Sequence, residues 1–385
     1  MPIPYWRLSG FYFFYFAALG GFIPYWSLYL KDSGFNALQI GQLTALLAAT
    51  KIISPNLWGW IADHTGRSLR VIRLTSFFAA FMFAGFLYFH GYLWLVSLTL
   101  AFSFFWNAAL PQFEAATLFH LQQNPHYYSR IRLWGSVGFI VSVLGIGRLL
   151  ETQPIAILPT VITGLLTAIW LITLTTPDAK PGKHKASAVG IAQIIKRPEV
   201  LAFLTVSMLL QIAHGPYYVF YSIYLKQLHY PATFIGLLWG LGVFAEIVLF
   251  VLMGRILKRV RLRVILLLSI FLAMLRWLLI AWYADNLYVL LGAQCLHAAT
   301  FGSAHVTAMH LIHNYFGQQH QGKGQALYAS MSFGLGGMLG SLYSGYYWQL
   351  LGAEIVFSIA AGCCVLAFVI AYAWVGRENA HKTRH

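Results

Sequence analysis

Four ionisable residues lie where a chain of this kind should carry none. Lys51, Glu114, Glu246 and Arg276 each fall inside long apolar runs of the 385-residue sequence. A charge at the centre of a bilayer costs on the order of 3 kcal/mol even on lenient insertion scales. Such residues therefore line a wet cavity, or pair and lock helices together. Two acids and two bases can neutralise as a set, and their available chemistry is to hold an anion and to move a proton. His214 lies beside Pro216, and His297 and His305 share another apolar run. An imidazole near its ordinary pKa of about 6.5 is a natural proton carrier, although a hydrogen-bonded core histidine is an equal reading of each. No nucleophile–base or metal-ligand spacing emerges. His310-Leu311-Ile312-His313 lacks the glutamate and the spacing of a zinc-protease helix, so no metal is expected. Residues Gly317 to Gly324 imitate a phosphate loop but end on Gly324, where Ser or Thr must hold magnesium. No cofactor is expected. Cys295, Cys363 and Cys364 show neither CxxC spacing nor a disulfide framework.

Composition fixes what must position these groups. The chain is 59% hydrophobic and 9% charged, against roughly 25% charged in soluble domains. This excludes a soluble enzyme, a nucleic-acid-binding module and a disordered chain. A membrane-crossing helix needs about 20 apolar residues. Twelve such stretches are predicted, near 8–30, 38–62, 71–90, 93–119, 131–150, 154–176, 199–225, 233–254, 263–283, 287–314, 325–349 and 354–376. These long continuous runs predict an all-α membrane protein, since a barrel would show short alternating segments. Met1 to Arg7 leads into the first run without a small-residue cleavage site, so no cleavable signal peptide is expected.

The net charge of +15 is a matter of topology. Of 25 Lys and Arg residues, 20 fall on one side of the expected spans. They include Arg67, Arg70 and Arg73, Lys180, Lys183 and Lys185, a cluster from Arg255 to Arg263, and Arg377, Lys382 and Arg384. Lys31, Arg148 and Lys226 fall on the other. Basic loops stay in the cytoplasm, which places both termini and the loop from Pro177 to Pro198 there. No nucleic-acid partner is implied.

Shifted by 195 residues, the chain matches itself. Ser27-Leu28-Tyr29-Leu30-Lys31 meets Ser222-Ile223-Tyr224-Leu225-Lys226, Ile40-Gly41 meets Ile235-Gly236, and Gly59 meets Gly254. A shift of six spans preserves direction, so the halves are parallel repeats: 1–176, a linker 177–198, and 199–385. Lys51 and Glu246 occupy the same repeat position, a base in one half and an acid in the other. That asymmetry suits a site with one end for an anion and another for a proton. Parallel repeats of this kind place the substrate at the midplane between halves.

The loop Gly59-Trp60-Ile61-Ala62-Asp63-His64-Thr65-Gly66-Arg67 resembles the Gly-x-x-x-Asp-x-x-Gly-Arg signature of the major facilitator superfamily. The resemblance implies a gating role for Gly59, Asp63, Gly66 and Arg67. Asn107 to Ala115 and Arg130 to Gly135 are similar to the sugar-binding regions of the lactose permease group. There Glu114 and Arg132 fall on the substrate-binding carboxylate and guanidinium. Glu246, Arg276 and His297 fall on polar residues of the eighth, ninth and tenth spans. Thr300, Gln294 and Phe139 stand where that group has its proton-carrying glutamate, a lysine and a sugar-stacking tryptophan.

A fuller similarity is to the bacterial phenylpropionate permease group of the same superfamily. It is carried by Pro24, Trp26, Ile40-Gly41, Lys51, Glu114, Arg132-Leu133-Trp134-Gly135, His214 with Tyr217-Tyr218, Glu246, Arg276-Trp277, His297 and His305. It implies proton-coupled uptake of an aromatic carboxylate across the bacterial inner membrane. The expected substrate residues are Lys51, Glu114, Arg132, Phe139 and Tyr217, and the expected proton residues are Glu246, Arg276, His297 and His305. The partners expected are a small solute, protons and the bilayer, with the chain a monomer. A proton-linked carrier of a sugar, nucleoside or siderophore is the competing reading, and an intramembrane enzyme or sensor a remote one.

Overall fold

The computed structural model describes residues 3–122, 124, 126–178 and 191–376, and among these every regular element is helical. Lys180, Lys183, Lys185, Arg377, Lys382 and Arg384 lie outside the described residues. The first spans are α1 (Tyr5–Asp32), α2 (Ala37–Thr65), α3 (Ser68–Ala84), α4 (Tyr92–His120), α5 (Tyr127–Leu149) and α6 (Leu158–Thr175). A short helix, α7 (Ile191–Ile195), precedes α8 (Pro198–Ala213), α9 (Gly215–Gln227), α10 (Ala232–Arg259) and α11 (Leu262–Tyr283). One helical path completes the chain as α12 (Leu287–His297), α13 (Ser303–Ala329) and α14 (Gly337–Trp374), with wide π turns at Ala298–Gly302 and Ser330–Gly336.

Among the described residues, ten helical stretches are long and apolar enough to cross a membrane, the last of them 88 residues long. Gly317 (φ 63°, ψ 176°) and Gly352 (φ 81°, ψ 171°) break that last path, in a backbone region open essentially to glycine alone. The three resulting pieces are consistent with the twelve spans expected, and the breaks fall in the predicted gaps after 314 and 349. The seventh span is divided instead of continuous. Pro216 lacks an N–H and crowds the carbonyl four residues back, so α8 ends at Ala213 and α9 restarts at Gly215.

α1 packs on α5 and α6, and α2 and α3 on α4. In the second group α14 packs on α8 and α11, and α12 on α10 and α11. Side chains such as Phe81, Val251 and Leu366 stay exposed on the outside, as lipid in place of water allows. The two groups meet chiefly through α2 on α14 and α5 on α10. A side chain on Gly41 would begin 2.7 Å from the Gly345 Cα and from the Ser341 carbonyl. One on Gly236 would overlap the Val143 carbonyl. At this end the Thr233 N–H also donates to Glu151 Oε1 (2.9 Å). At the opposite, basic end Gly254 has nothing within 4 Å of its missing side chain, and Gly59 faces only the Gln112 Nε2 of α4, at 3.2 Å. The groups meet backbone to backbone at the first end, and neither Gly59 nor Gly254 makes such a contact at the other.

Candidate functional site

α2 is pinned to α4 next to Lys51. The Thr50 hydroxyl donates to Ser103 Oγ (2.9 Å), and Asn107 Nδ2 donates to Thr50 Oγ1 (2.8 Å) and to the Leu47 carbonyl (3.1 Å). Successive helical residues are turned about 100°, so Lys51 leaves that seam. Ile52 then packs on the second π turn, its Cγ1 being 2.6 Å from where a Gly334 side chain would begin. Lys51 is half-buried and has neither a hydrogen bond nor an opposing charge beside it among the described residues.

Glu114 and Arg132, both expected at the substrate, have different partners. Glu114 Oε1 accepts from the Tyr128 hydroxyl (3.0 Å). The Arg132 guanidinium lies instead 4.0 Å over the Phe16 ring and 5.6 Å from that of Tyr12. Tyr128 and Arg132 are one helical turn apart on α5, so they share a face. Phe139 is buried on the same helix, with its backbone against Gly20 of α1.

In the second group Arg276 is fully buried. Its Nε donates to the Ala293 carbonyl (2.9 Å), its Nη1 to His297 Nδ1 (3.0 Å) and Thr300 Oγ1 (3.4 Å), and its Nη2 to Gln294 Oε1 (3.0 Å). Gln294 Nε2 donates onward to the Tyr221 hydroxyl (2.7 Å). The guanidinium also lies 4.3 Å from the Tyr217 ring centre and 4.6 Å from that of Trp277. A guanidinium is satisfied here by neutral acceptors and ring faces. Neither Glu114 nor Glu246 is among its hydrogen-bond partners. Because arginine only donates, His297 Nδ1 is an acceptor and carries no proton.

Glu246 stands apart from that network. Its Cγ is 3.1 Å from where a Gly302 side chain would begin, in the first π turn. Its electrostatic counterpart is Arg132 of the other group, which also faces His305. His305 Nδ1 lies 3.3 Å from the Tyr328 hydroxyl, and its ring is parallel to Phe301. Arg132 of the first group therefore acts across to Glu246 and His305 of the second.

The expected gating residues lie at the basic end. Gly66 closes α2 in the left-handed conformation (φ 64°), and Asp63 and Arg67 are exposed. Tyr128 and Tyr221 were missed from sequence, and Gln294 was noted there only as a replaced lysine. Helical spacing held a signal for two of them: Tyr128 precedes Arg132 by four residues and Gln294 precedes His297 by three.

Comparison with known proteins agrees with this architecture. The chain is 28% identical over 356 residues to a probable 3-phenylpropionic acid transporter of Escherichia coli (strain K12), covering 91% of this chain and 92% of that one. It is 26% identical to a maltose permease of Geobacillus stearothermophilus, over 96% of this chain and 94% of that one. The crystal structure of the nucleoside transporter NupG superposes with a TM-score of 0.83 at 18% identity, covering 97% of this chain and 99% of that chain. That likeness shows the fold. The model of the MFS_1 like family matches residues 5–359, and the chain belongs to that family of membrane transporters.

Proposed function

We propose that the protein is a proton-coupled symporter that takes up a small aromatic carboxylate across a bacterial inner membrane, with both termini and the basic end in the cytoplasm. The observation that carries this reading is Lys51, a mid-span cation with no anionic partner among the described residues. An uncompensated ammonium at that depth is costly, and a substrate carboxylate offsets the cost. Arg132 of the same group supplies a second cation, and Phe139 and Tyr217 supply apolar and aromatic faces, a lining typical of small-molecule sites. The likeness to the probable 3-phenylpropionic acid transporter adds support.

On this reading the structure is the cytoplasm-open state. Residues 1–176 and 199–385 rock about the site as two bodies, and Asp63 and Arg67 engage when the basic end closes. Glu246 carries the proton, because His297 already spends its Nδ1 lone pair on Arg276. The decisive experiment is uptake into proteoliposomes under an imposed pH gradient, with 3-phenylpropionate, maltose and uridine in parallel. Gradient-driven accumulation of the acid alone is expected; accumulation of maltose or uridine instead overturns the reading. A cysteine at position 260 labelled from the cytoplasmic side, with one at 228 unlabelled, fixes the orientation.

A further inference from the structure

Between α8, α11, α13 and the two π turns lies a cleft of about 30 Å³, bordered by His214, Thr300, Phe301, His305, Tyr328 and Ser332. His214 is 1% exposed. Its Nδ1 lies 2.7 Å from the Leu210 carbonyl, which can only accept, so the ring proton sits on Nδ1 and Nε2 presents a lone pair. That Nε2 is buried and without a hydrogen-bond partner, and so is the Ser332 Oγ. An unsatisfied buried acceptor is costly, so the pair calls for a hydrogen-bond donor. The cleft exceeds the roughly 10–15 Å³ that a single water needs, so it has room for a hydroxyl. Its mouth is aromatic, with Phe301 packed edge-on to Phe333 and parallel to His305. Ile52, which follows Lys51 in α2, packs on Gly334, which follows Phe333, so α2 lies against the turn that carries Phe333.

We propose that this cleft is a subsite for a hydroxyl group on the transported acid. The carboxylate lies at Lys51, the ring lies against Phe301 and Phe333, and the hydroxyl donates to His214 Nε2 with Ser332 Oγ beside it. The inference rests on the aromatic-acid reading and narrows it to ring-hydroxylated arylalkanoates. His214 acts here as a neutral acceptor fixed in one tautomer by Leu210, and not as a proton carrier.

The test is equilibrium binding to the purified full-length transporter of 3-phenylpropionate, its 2-, 3- and 4-hydroxyphenyl analogues and the matching methoxy compounds. At least one hydroxylated isomer is expected to bind about tenfold tighter than 3-phenylpropionate, with methylation of that hydroxyl removing the gain. The ratio of the two affinities is expected to fall to about one in His214→Phe and to drop in Ser332→Ala. Equal affinity of the wild-type protein for 3-phenylpropionate and all three isomers overturns the subsite, the cleft then holding a water, and leaves the aromatic-acid reading standing. Binding of none of these acids overturns both. The wild-type series decides the matter even where His214→Phe does not fold.

Discussion

Gly41 and Gly236, 195 residues apart, make the same contact: each lays the backbone of its helix against a helix of the opposite group, on the same end of the molecule. Neither contact has room for a side chain. Overpacking of this kind costs roughly 1–3 kcal/mol, so Gly41→Leu or Gly236→Leu is expected to hold that end apart. Spin-label distances between positions 36 and 350 should lengthen, and transport should fall by about tenfold or more. Gly254→Leu, with open space around it, should leave those distances as they are; lengthening there as well would show that the effect is not local.

Lys51→Gln is expected to weaken binding of aromatic acids by about 100-fold while leaving the corresponding alcohols within a few-fold, because only the acid needs the cation. Arg132→Lys should rescue incompletely, since the ammonium cannot reproduce a planar guanidinium stacked on Phe16. Isothermal titration with acid and alcohol pairs measures the discrimination. Normal acid binding in both Lys51→Gln and Arg132→Gln would refute the anion site.

Glu246→Gln should abolish pH-driven accumulation yet preserve exchange of substrate between equal concentrations, because exchange need not release the proton. His297→Asn should preserve some accumulation. The reverse pattern in proteoliposomes would make the histidine the carrier and Glu246 its partner.

Much of this was legible in the residues themselves. Span lengths placed the breaks at Gly317 and Gly352 within the predicted gaps, because hydropathy falls where the backbone must leave the helix. The repeat singled out Ile40-Gly41 and Ile235-Gly236, since close helix approach demands glycine wherever it recurs. Partner choice was not legible. Charge alone pairs Glu114 with Arg132 and Arg276 with Glu246, but Tyr128 reaches Glu114 first, and Arg276 is satisfied by Ala293, Gln294, His297 and Thr300. Such choices depend on rotamers and on neutral acceptors that no pattern of charges reveals.

That neutral cage has its own consequence. Arg276→Lys removes a fork whose three nitrogens are all engaged, while Gln294 Oε1 keeps only the Tyr217 hydroxyl as donor. A loss of about 2–4 kcal/mol of stability is expected, read as a lower melting temperature in detergent. An unchanged melting temperature would mean that the network contributes little to the fold.

The Glu151 carboxyl is held below the usual carboxylate range, first by the Thr233 N–H and then by the Thr233 side chain, with Lys226 and Arg148 assisting. A depressed value means that the ionised form favours closure. The benefit is present above the ordinary carboxylate pKa of about 4.3 and is lost as pH falls through the depressed one. Acidifying that face below about pH 4 should therefore raise cysteine accessibility at the closed end, by only two- to threefold or so for so exposed a group. Glu151→Gln should remove the pH response; a response that persists in it would assign the titration elsewhere.

The closed end is built mainly from backbone, with Gly41 on Gly345 and Gly236 on Val143, and apart from the Glu151–Thr233 contact it uses none of the residues assigned to the substrate. A seal of this kind is indifferent to whether the solute is an acid, a sugar or a nucleoside. Mutations that reshape the cavity can then change what is carried without relearning how to shut. A lineage with such a seal is free to diversify in diet while inheriting its door unchanged.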